Sequence, residues 1–341
     1  MANHGNLYGP NFTFLGIPTC DLAQEKSYAD ADVVIVGAPV DGGTSHRSGT
    51  KFGPMAIRAG DYLPHDGARP HLALRVDALQ QLKVVDAGDL LMPSSHLEDS
   101  LNLLEAESEK IAKAGAIPLV LGGDHSIASA DIAGVAKALG WGKIGVIHFD
   151  AHADTGDNQM GQLYGHGTPM RRLIERGAVR GDRFLQIGLR GYWPEDETLQ
   201  WMAEQGMRSY EMTEINARGL NSILDEALKT VMQDCVGVFL SVDIDVVDPG
   251  MAPGTGTPEP GGLTSRELLE AVRRIALEVP VVGMDIVEVS PPYDCADITA
   301  ILANRVALEA LSAIAYKKNN ESNKSNKSGA TYNAKRNLLD R

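Results

Sequence analysis

Short runs of apolar residues alternate along the chain with longer segments in which apolar residues recur at helical spacing. Runs that are apolar throughout, and not at every second position, are typical of parallel strands covered on both faces. The seven clear runs and one weaker run are residues 32–39, 82–89, 117–124, 143–152, 184–191, 236–245, 281–290 and, more weakly, 207–212. Strands that alternate with helices in this way predict a three-layer α/β/α fold around a parallel sheet of about eight strands.

The series of strands is not divided by any linker-like segment, so a single domain is expected. The pattern predicts an N-terminal extension over residues 1–30, one domain over 31–316 and a polar tail over 317–341. The tail is rich in Lys, Asn and Ser, and such a composition buries too little apolar surface to offset the entropy lost on ordering. We expect a solvated tail; the alternative is an arm that docks on a neighbouring subunit.

Composition and charge narrow the classes of function. The 341 residues are 43% apolar and 22% charged, as in ordinary globular proteins with a large core. The formal net charge of −14 argues against nucleic acid or an anionic membrane as a partner, and it is compatible with a cationic substrate. No apolar run reaches the ~18 residues that span a bilayer, and the start of the chain does not resemble a signal peptide. The three cysteines (Cys20, Cys235, Cys295) lack CxxC spacing, so free thiols in the cytoplasm are expected.

Acidic and histidine side chains gather at the ends of the predicted strands. The fourth run ends in Asp150, His152 and Asp154, which alternate and therefore share one face of the strand. Ligands of parallel α/β sheets bind outside the carboxyl ends of the strands, so polar residues at other strand ends are candidates for the same crevice. These residues are Asp124, His125, Asp243, Asp245 and Glu288. For Asp124, a role in the turn before His125 is at least as strongly expected.

Four carboxylates that meet in one crevice need compensating positive charge. The two motifs that carry Asp150, Asp154, Asp243 and Asp245 contain no Lys or Arg, and a buried unpaired carboxylate is strongly destabilising. Two divalent cations would balance the four charges, and mixed Asp/His ligands suit manganese as well as nickel, cobalt or zinc. The pattern therefore predicts a centre of two cations that share a carboxylate. His148 lies deeper in its strand, and we expect it to support the site or the core and not to bind metal.

Four motifs give the chain a resemblance to a known family. "GGDHS", "FDAHADT", "SVDIDVVDP" and "APGTGTPEPGG" resemble the signatures of the ureohydrolases, the family of arginase and agmatinase. "GTSHRSGTKFGPMAIR" (43–58) and "EVSPPYD" (288–294) are similar to its agmatinase-like branch. The resemblance implies the arginase fold, a catalytic domain over 31–316, and hydrolysis of a guanidinium group to urea and an amine.

The resemblance also implies roles for individual residues. It gives two ligand sets that share Asp150 and Asp243: His125, Asp150, Asp154 and Asp243 for one cation, and Asp150, His152, Asp243 and Asp245 for the other. Manganese is the expected metal and nickel the alternative. His166, in "YGHGTPM", matches the histidine that transfers protons in the family, and Glu288 matches the acid that binds the guanidinium. Asp154 is expected to accept a hydrogen bond from the attacking oxygen.

A small guanidino compound is the expected substrate, with agmatine, cleaved to putrescine and urea, first among them. Guanidinobutyrate, guanidine and a biguanide such as metformin are the alternatives, with nickel as the metal in some of them. Asp157 and Glu259 are expected to bind the substrate as an acidic rim, which would favour a cationic or neutral tail. Arg47 and His46, in the first loop, are the residues that could instead meet an anion.

The quaternary structure is also expected from the resemblance. The family implies a homo-oligomer, as a trimer or hexamer. A hetero-oligomer with a homologue is the alternative, and in its extreme form the chain would be a non-catalytic partner subunit.

Overall fold

The computed structural model describes residues 13–61, 69–93 and 95–325, with side chains to residue 320. The strands in these ranges are β1 (Val33–Ala38), β2 (Val84–Asp89), β3 (Ile117–Gly122), β4 (Ile144–Phe149), β5 (Phe184–Leu189), β6 (Arg208–Glu211), β7 (Gly237–Asp243) and β8 (Val281–Val287). The α-helices are α1 (Gly53–Ala59), α2 (Ala78–Gln81), α3 (Leu97–Lys113), α4 (Ala128–Leu139), α5 (Pro169–Glu175), α6 (Asp196–Glu204), α7 (Met212–Arg218), α8 (Leu220–Val231), α9 (Ser265–Glu278) and α10 (Ile298–Ser325).

The eight strands form one parallel sheet in the order β2-β1-β3-β8-β7-β4-β5-β6. Every residue of β1, β4 and β5 is buried, which explains why these strands read as mostly apolar runs. Successive residues face opposite layers: Val33 and Ile35 belong to the core under α8, α9 and α10, whereas Val34 and Val36 belong to the core under α3. The predicted α/β/α domain with about eight parallel strands is confirmed.

The strand order reverses in the middle of the sheet. β3 and β4 are consecutive in the chain, but β8 and β7 lie between them in the sheet. Neighbouring strands are about 4.8 Å apart, so the carboxyl ends of β3, β8, β7 and β4 fall within about 15 Å of one another. A reversal of this kind is where open α/β sheets bind ligands.

The last helix, α10, is longer and more deeply packed than the sequence suggested. Ile298–Asn320 is long and apolar enough to cross a membrane by length and composition alone, so the expectation that no segment reaches this length was wrong. However, 67% of that window is buried inside the domain, as in the core helix of a globular protein, and the segment is weak evidence for a membrane span.

Residues on both sides of the predicted domain, whose boundaries stay a prediction, also contact it. Phe14, in the predicted N-terminal extension, is fully buried, and its amide donates to Asp86 Oδ2 at 2.8 Å. At the other end, α10 passes through the boundary at 316, and Lys318 forms an ion pair with Asp32 next to β1. The rest of the tail, residues 326–341, lies outside the described residues. The choice between a solvated tail and a docking arm therefore stays a prediction.

Candidate metal centre and active site

The four central strands bring the candidate residues together. His125 follows β3, Asp150 follows β4, Asp243 ends β7 and Glu288 follows β8. All four residues are at most 2% exposed. The carboxylates of Asp150 (after β4) and Asp243 (at the end of β7) thus face the imidazole of His125 (after β3). They meet in the crevice that the polar residues at the strand ends predicted.

His125 lies at the centre of a first cluster. Its Nδ1 atom is 3.1 Å from a carboxylate oxygen of each of Asp150, Asp154 and Asp243. Two ligand atoms that each lie about 2.1 Å from a cation, at right angles, are about 3.0 Å apart. The spacing in this cluster is therefore that of neighbouring ligands around one cation.

His152 belongs to a second cluster, which shares Asp150 with the first. His152 Nδ1 lies 3.1 Å from Asp245 Oδ2 and 3.5 Å from Asp150 Oδ1. Asp150 thus turns Oδ2 to His125 and Oδ1 to His152, as a carboxylate that bridges two cations must. Asp243 approaches only the first cluster in this way: its Oδ1 atom accepts the Asp245 amide at 2.9 Å. Its share in the second ligand set stays a prediction.

The charge of these clusters fits a pair of divalent cations. Burial, and then the charges of Asp245 and Asp150, raise the pKa of Asp243 well above its ordinary value. Asp245 Oδ2 is buried, and although His152 Nδ1 lies 3.1 Å away, no described residue is aligned to donate a hydrogen bond to it. Carboxylates that repel one another in a dry site are stabilised by cations, and carboxylate plus imidazole ligands suit manganese or nickel.

Two residues of the site have strained backbones. Asp154 has φ of 51° and Glu288 has φ of 63°, in the left-handed region that side chains other than glycine rarely adopt. Such a residue costs on the order of 1 kcal/mol or more, and it persists only where the surroundings hold it. The Glu288 amide donates to Gly123 O at 2.9 Å, and Asp154 O accepts the Met170 amide at 3.0 Å, so both peptides are held in place.

His166, which lines the cleft, forms a pair with the buried Glu288. Glu288 Oε1 accepts the His125 amide at 2.9 Å and lies 3.0 Å from His166 Nδ1, whereas its Oε2 atom is buried without a hydrogen-bond partner among the described residues. The other ring nitrogen, Nε2, lies 3.1 Å from the Ser45 amide and 2.6 Å from Ser45 Oγ. A backbone amide can only donate, so Nε2 of His166 accepts a hydrogen bond. The ring proton is therefore on Nδ1, which donates a hydrogen bond to Glu288 Oε1.

The electrostatic surroundings of His166 oppose this neutral tautomer. Burial lowers the pKa of His166, but Glu288, followed by Asp154 and Asp124, more than reverses this and raises it to about 9. Those carboxylates act at full strength only while no cation balances the neighbouring clusters. We therefore take the tautomer set by the Ser45 amide as the form that belongs to the metal-loaded site.

The two residues of the predicted acidic rim, Asp157 and Glu259, are not in the lining of the cleft, and their role in substrate binding stays a prediction. Asp157 is 63% exposed at its side chain and lies 3.2 Å from Arg171 Nη2, so its charge is compensated by α5. It does not line the cleft, and neither does Glu259, whose carbonyl instead accepts hydrogen bonds from Arg190. Asp124 is fully buried, accepts the amides of Gly43 and Ser126, and supports the turn before His125.

The cleft itself is about 260 Å³ in volume and has a mostly neutral outer wall. Its lining includes residues that the sequence did not single out: Ser45, Asn158, Gln159, Trp193 and Thr257. Asn158 and Gln159 follow Asp157 in a loop that the sequence had marked, but no sequence signal pointed to Trp193. Arg47, which could have met an anion, donates to Thr255 O at 2.8 Å and lies over the Tyr293 ring at 4.3 Å.

Comparisons with known proteins agree with this geometry. A family model described as the arginase family matches residues 31–313. Guanidinobutyrase of Pseudomonas aeruginosa is 38% identical over 313 residues, which are 90% of this chain and 93% of that protein. Agmatinase of Proteus mirabilis is 38% identical over 308 residues, or 90% and 94% of the two chains. The structure of proclavaminate amidinohydrolase from Streptomyces clavuligerus has a TM-score of 0.81 and 36% identity, and covers 92% of this chain and 100% of that one.

Membership of this family accounts for the four sequence motifs and for both histidine–carboxylate clusters. Its enzymes depend on two metal ions, act on small guanidino compounds and are typically oligomeric. The resemblance to the ureohydrolases is thereby confirmed, and this chain belongs to the arginase family of hydrolases that act on the C–N bonds of linear amidines.

Proposed function

We propose that this chain hydrolyses a small guanidino compound with a cationic or neutral tail to urea and an amine, with agmatine as the first candidate. The observation that carries the reaction is the position of Glu288: its Oε1 atom accepts the amide of His125, a residue of the first cluster, and its Oε2 atom is buried without a hydrogen-bond partner among the described residues.

Glu288 binds and orients the guanidinium. Its Oε2 atom accepts an N–H of the substrate, and burial strengthens this charge-assisted hydrogen bond because water does not compete for it. Oε1 is held by the His125 amide and His166, so the carboxylate cannot turn away. The guanidinium carbon is thereby held next to the clusters.

His125, Asp150, Asp154 and Asp243 would hold one cation, and His152 and Asp245 would hold the other with the shared carboxylates. Bound divalent cations supply an acidified water and stabilise developing negative charge. Asp154 accepts a hydrogen bond from the attacking oxygen. His166 Nε2, which carries no proton in the neutral ring, takes up the proton released by the attacking water, and the imidazolium gives it to the departing nitrogen, which is a poor leaving group without it.

The proposed preference for a substrate with a cationic or neutral tail depends on the lack of Lys and Arg side chains in the described lining of the cleft, and not on an acidic rim. None of the described residues that line the cleft is Lys or Arg. Arg47 and Arg190, which lie in the surrounding loops, donate hydrogen bonds to backbone carbonyls. A carboxylate tail would therefore lose water in the cleft without gaining a counter-charge.

Manganese is our first choice of metal, and nickel the second. A homo-oligomer and a cytoplasmic location complete the proposal. The three cysteines form no disulfide, which supports a reducing compartment. A hetero-oligomer with a homologue would be indicated if the purified chain binds metal but releases no urea.

The test is urea release by the purified chain, loaded separately with Mn²⁺ and Ni²⁺. The panel holds agmatine, guanidine, metformin, arginine, guanidinobutyrate and guanidinopropionate, because several relatives are named for guanidino acids. We expect the highest kcat/KM for agmatine or for a neutral guanidine or biguanide. A tenfold preference for guanidinobutyrate would refute the argument from the cleft lining but not the reaction class.

A further inference from the structure

We propose that Gln186, in the middle of β5, is a positioning residue for the metal centre: it fixes the proton of His148 on the ring nitrogen that faces Asp150, and so aims the shared carboxylate at its cations. The inference rests on the two-cation centre proposed above. It concerns Gln186 and His148, two fully buried polar residues that are not among the proposed metal ligands. A glutamine inside the apolar run "FLQIGL" requires an explanation, since packing alone would favour an apolar residue there.

The orientation of the Gln186 amide follows from its partners. Gln186 Nε2 lies 2.7 Å from Ala153 O, which can only accept, so the NH₂ group must face it. Gln186 Oε1 accepts the hydroxyl of Ser209 on β6 at 2.8 Å, as this orientation requires. The same NH₂ group lies 3.2 Å from His148 Nδ1. His148 Nδ1 therefore accepts a hydrogen bond and carries no proton in the neutral ring.

The proton of His148 is consequently on Nε2, which lies 2.8 Å from Asp150 Oδ2. This is the oxygen that Asp150 presents to His125, so His148 donates to the side of the carboxylate that faces the first cluster. On the other side, Asp150 Oδ1 accepts the His152 amide at 2.6 Å. Donors from both sides leave the carboxylate one orientation, in which each oxygen keeps a free direction for a cation.

The same hydrogen bonds argue against His148 as a metal ligand, although its ring is near enough to the first cluster to join one. A ligating imidazole needs an unprotonated nitrogen aimed at the cation. Nδ1 faces Gln186 and Nε2 carries a proton, so neither nitrogen of His148 is available. The series of hydrogen bonds from Ser209 through Gln186 and His148 therefore acts on the metal centre by orienting Asp150.

Four variants and one probe, Mn²⁺ alone, test the chain of hydrogen bonds. His148→Phe keeps a ring but removes the donor, whereas His148→Gln can still present an N–H to Asp150. Gln186→Met keeps the length of the side chain and removes both of its N–H donors. Phe184→Leu is the control, because the Phe184 ring packs on His148 at 5.7 Å but makes no hydrogen bond to it. Each metal-free protein is checked for folding by circular dichroism, and Mn²⁺ binding is then titrated by calorimetry.

Loss of a residue that orients a ligand typically weakens metal binding about 10–100-fold. We expect this for His148→Phe and Gln186→Met on at least one of two Mn²⁺ ions, with His148→Gln and Phe184→Leu within threefold of the wild type. Unchanged Mn²⁺ binding in both His148→Phe and Gln186→Met would overturn the inference. Equal losses in His148→Phe and His148→Gln, with none in Gln186→Met, would show instead that His148 is a ligand. A wild-type chain that binds no Mn²⁺ would refute a centre of two manganese ions, and this inference with it.

Discussion

Replacing Glu288 by glutamine separates substrate binding from the integrity of the site. The glutamine oxygen can take the place of Oε1 and still accept the His125 amide and the His166 ring proton, at 2.9 and 3.0 Å in the native protein. Its NH₂ group then occupies the position of the unpartnered Oε2 and points donors at the N–H groups of the guanidinium. The fold and the cations should be retained, while the substrate meets a donor where it needs an acceptor.

The size of the effect follows from burial. Glu288 is 1% exposed, so the lost pair is a buried one. Removing one partner of a buried ion pair costs about 3–5 kcal/mol. At about 1.4 kcal/mol for each factor of ten, kcat/KM should fall roughly 10²- to 10³-fold or slightly more.

The assay is urea release from the best substrate of the panel, with bound metal measured in the same samples. Glu288→Gln should retain wild-type metal content. Glu288→Ala is the comparison, because it also frees His166 Nδ1 and should lower kcat further. A Glu288→Gln protein whose kcat/KM stays within tenfold of the wild type would show that the guanidinium is bound elsewhere.

Three further predictions concern the metal centre and its protons. Asp243→Ala should abolish urea release and lower metal content, because Asp243 Oδ2 lies against His125; elemental analysis that still finds two metal ions per chain would remove it from the ligand set. His166→Ala should keep its metals and lose about 10²–10⁴-fold in kcat, the usual contribution of a proton donor, and an unchanged rate would exclude that role. In the metal-free protein, the pKa of His166 is raised from 6.5 to about 9, so its stabilising contribution is complete below pH 6.5 and is lost as the pH rises through 9. Thermal melts of the metal-free wild type should therefore show a larger loss of stability over this interval than melts of metal-free His166→Ala, and parallel curves would contradict the assignment.

The strands and the crevice were predictable because both depend on local pattern. A strand buried on both faces must be largely apolar, and a cluster of polar residues, such as the one around Asp150 or Asp243, then marks where it ends. The same reasoning did not predict the ion pair of Asp157 with Arg171, which lies on α5, a helix that begins a dozen residues later. Side-chain pairing between loops depends on where the whole chain places them, and no local pattern records it. Gln186 lies between these cases: a lone amide in an apolar strand was visible, but its partner His148 was not.

Arg47 has a consequence for attempts to change the specificity of this enzyme. Its guanidinium donates to the carbonyls of Thr255 and Gly256 and stacks on Tyr293, so one side chain fastens three separate segments at the mouth of the cleft. A loop exchanged alone with a relative of different specificity would break these contacts and misplace the other two segments. Specificity in this scaffold is therefore inherited as a set of three loops, and an engineering library should vary them together or keep Arg47 and its acceptors intact.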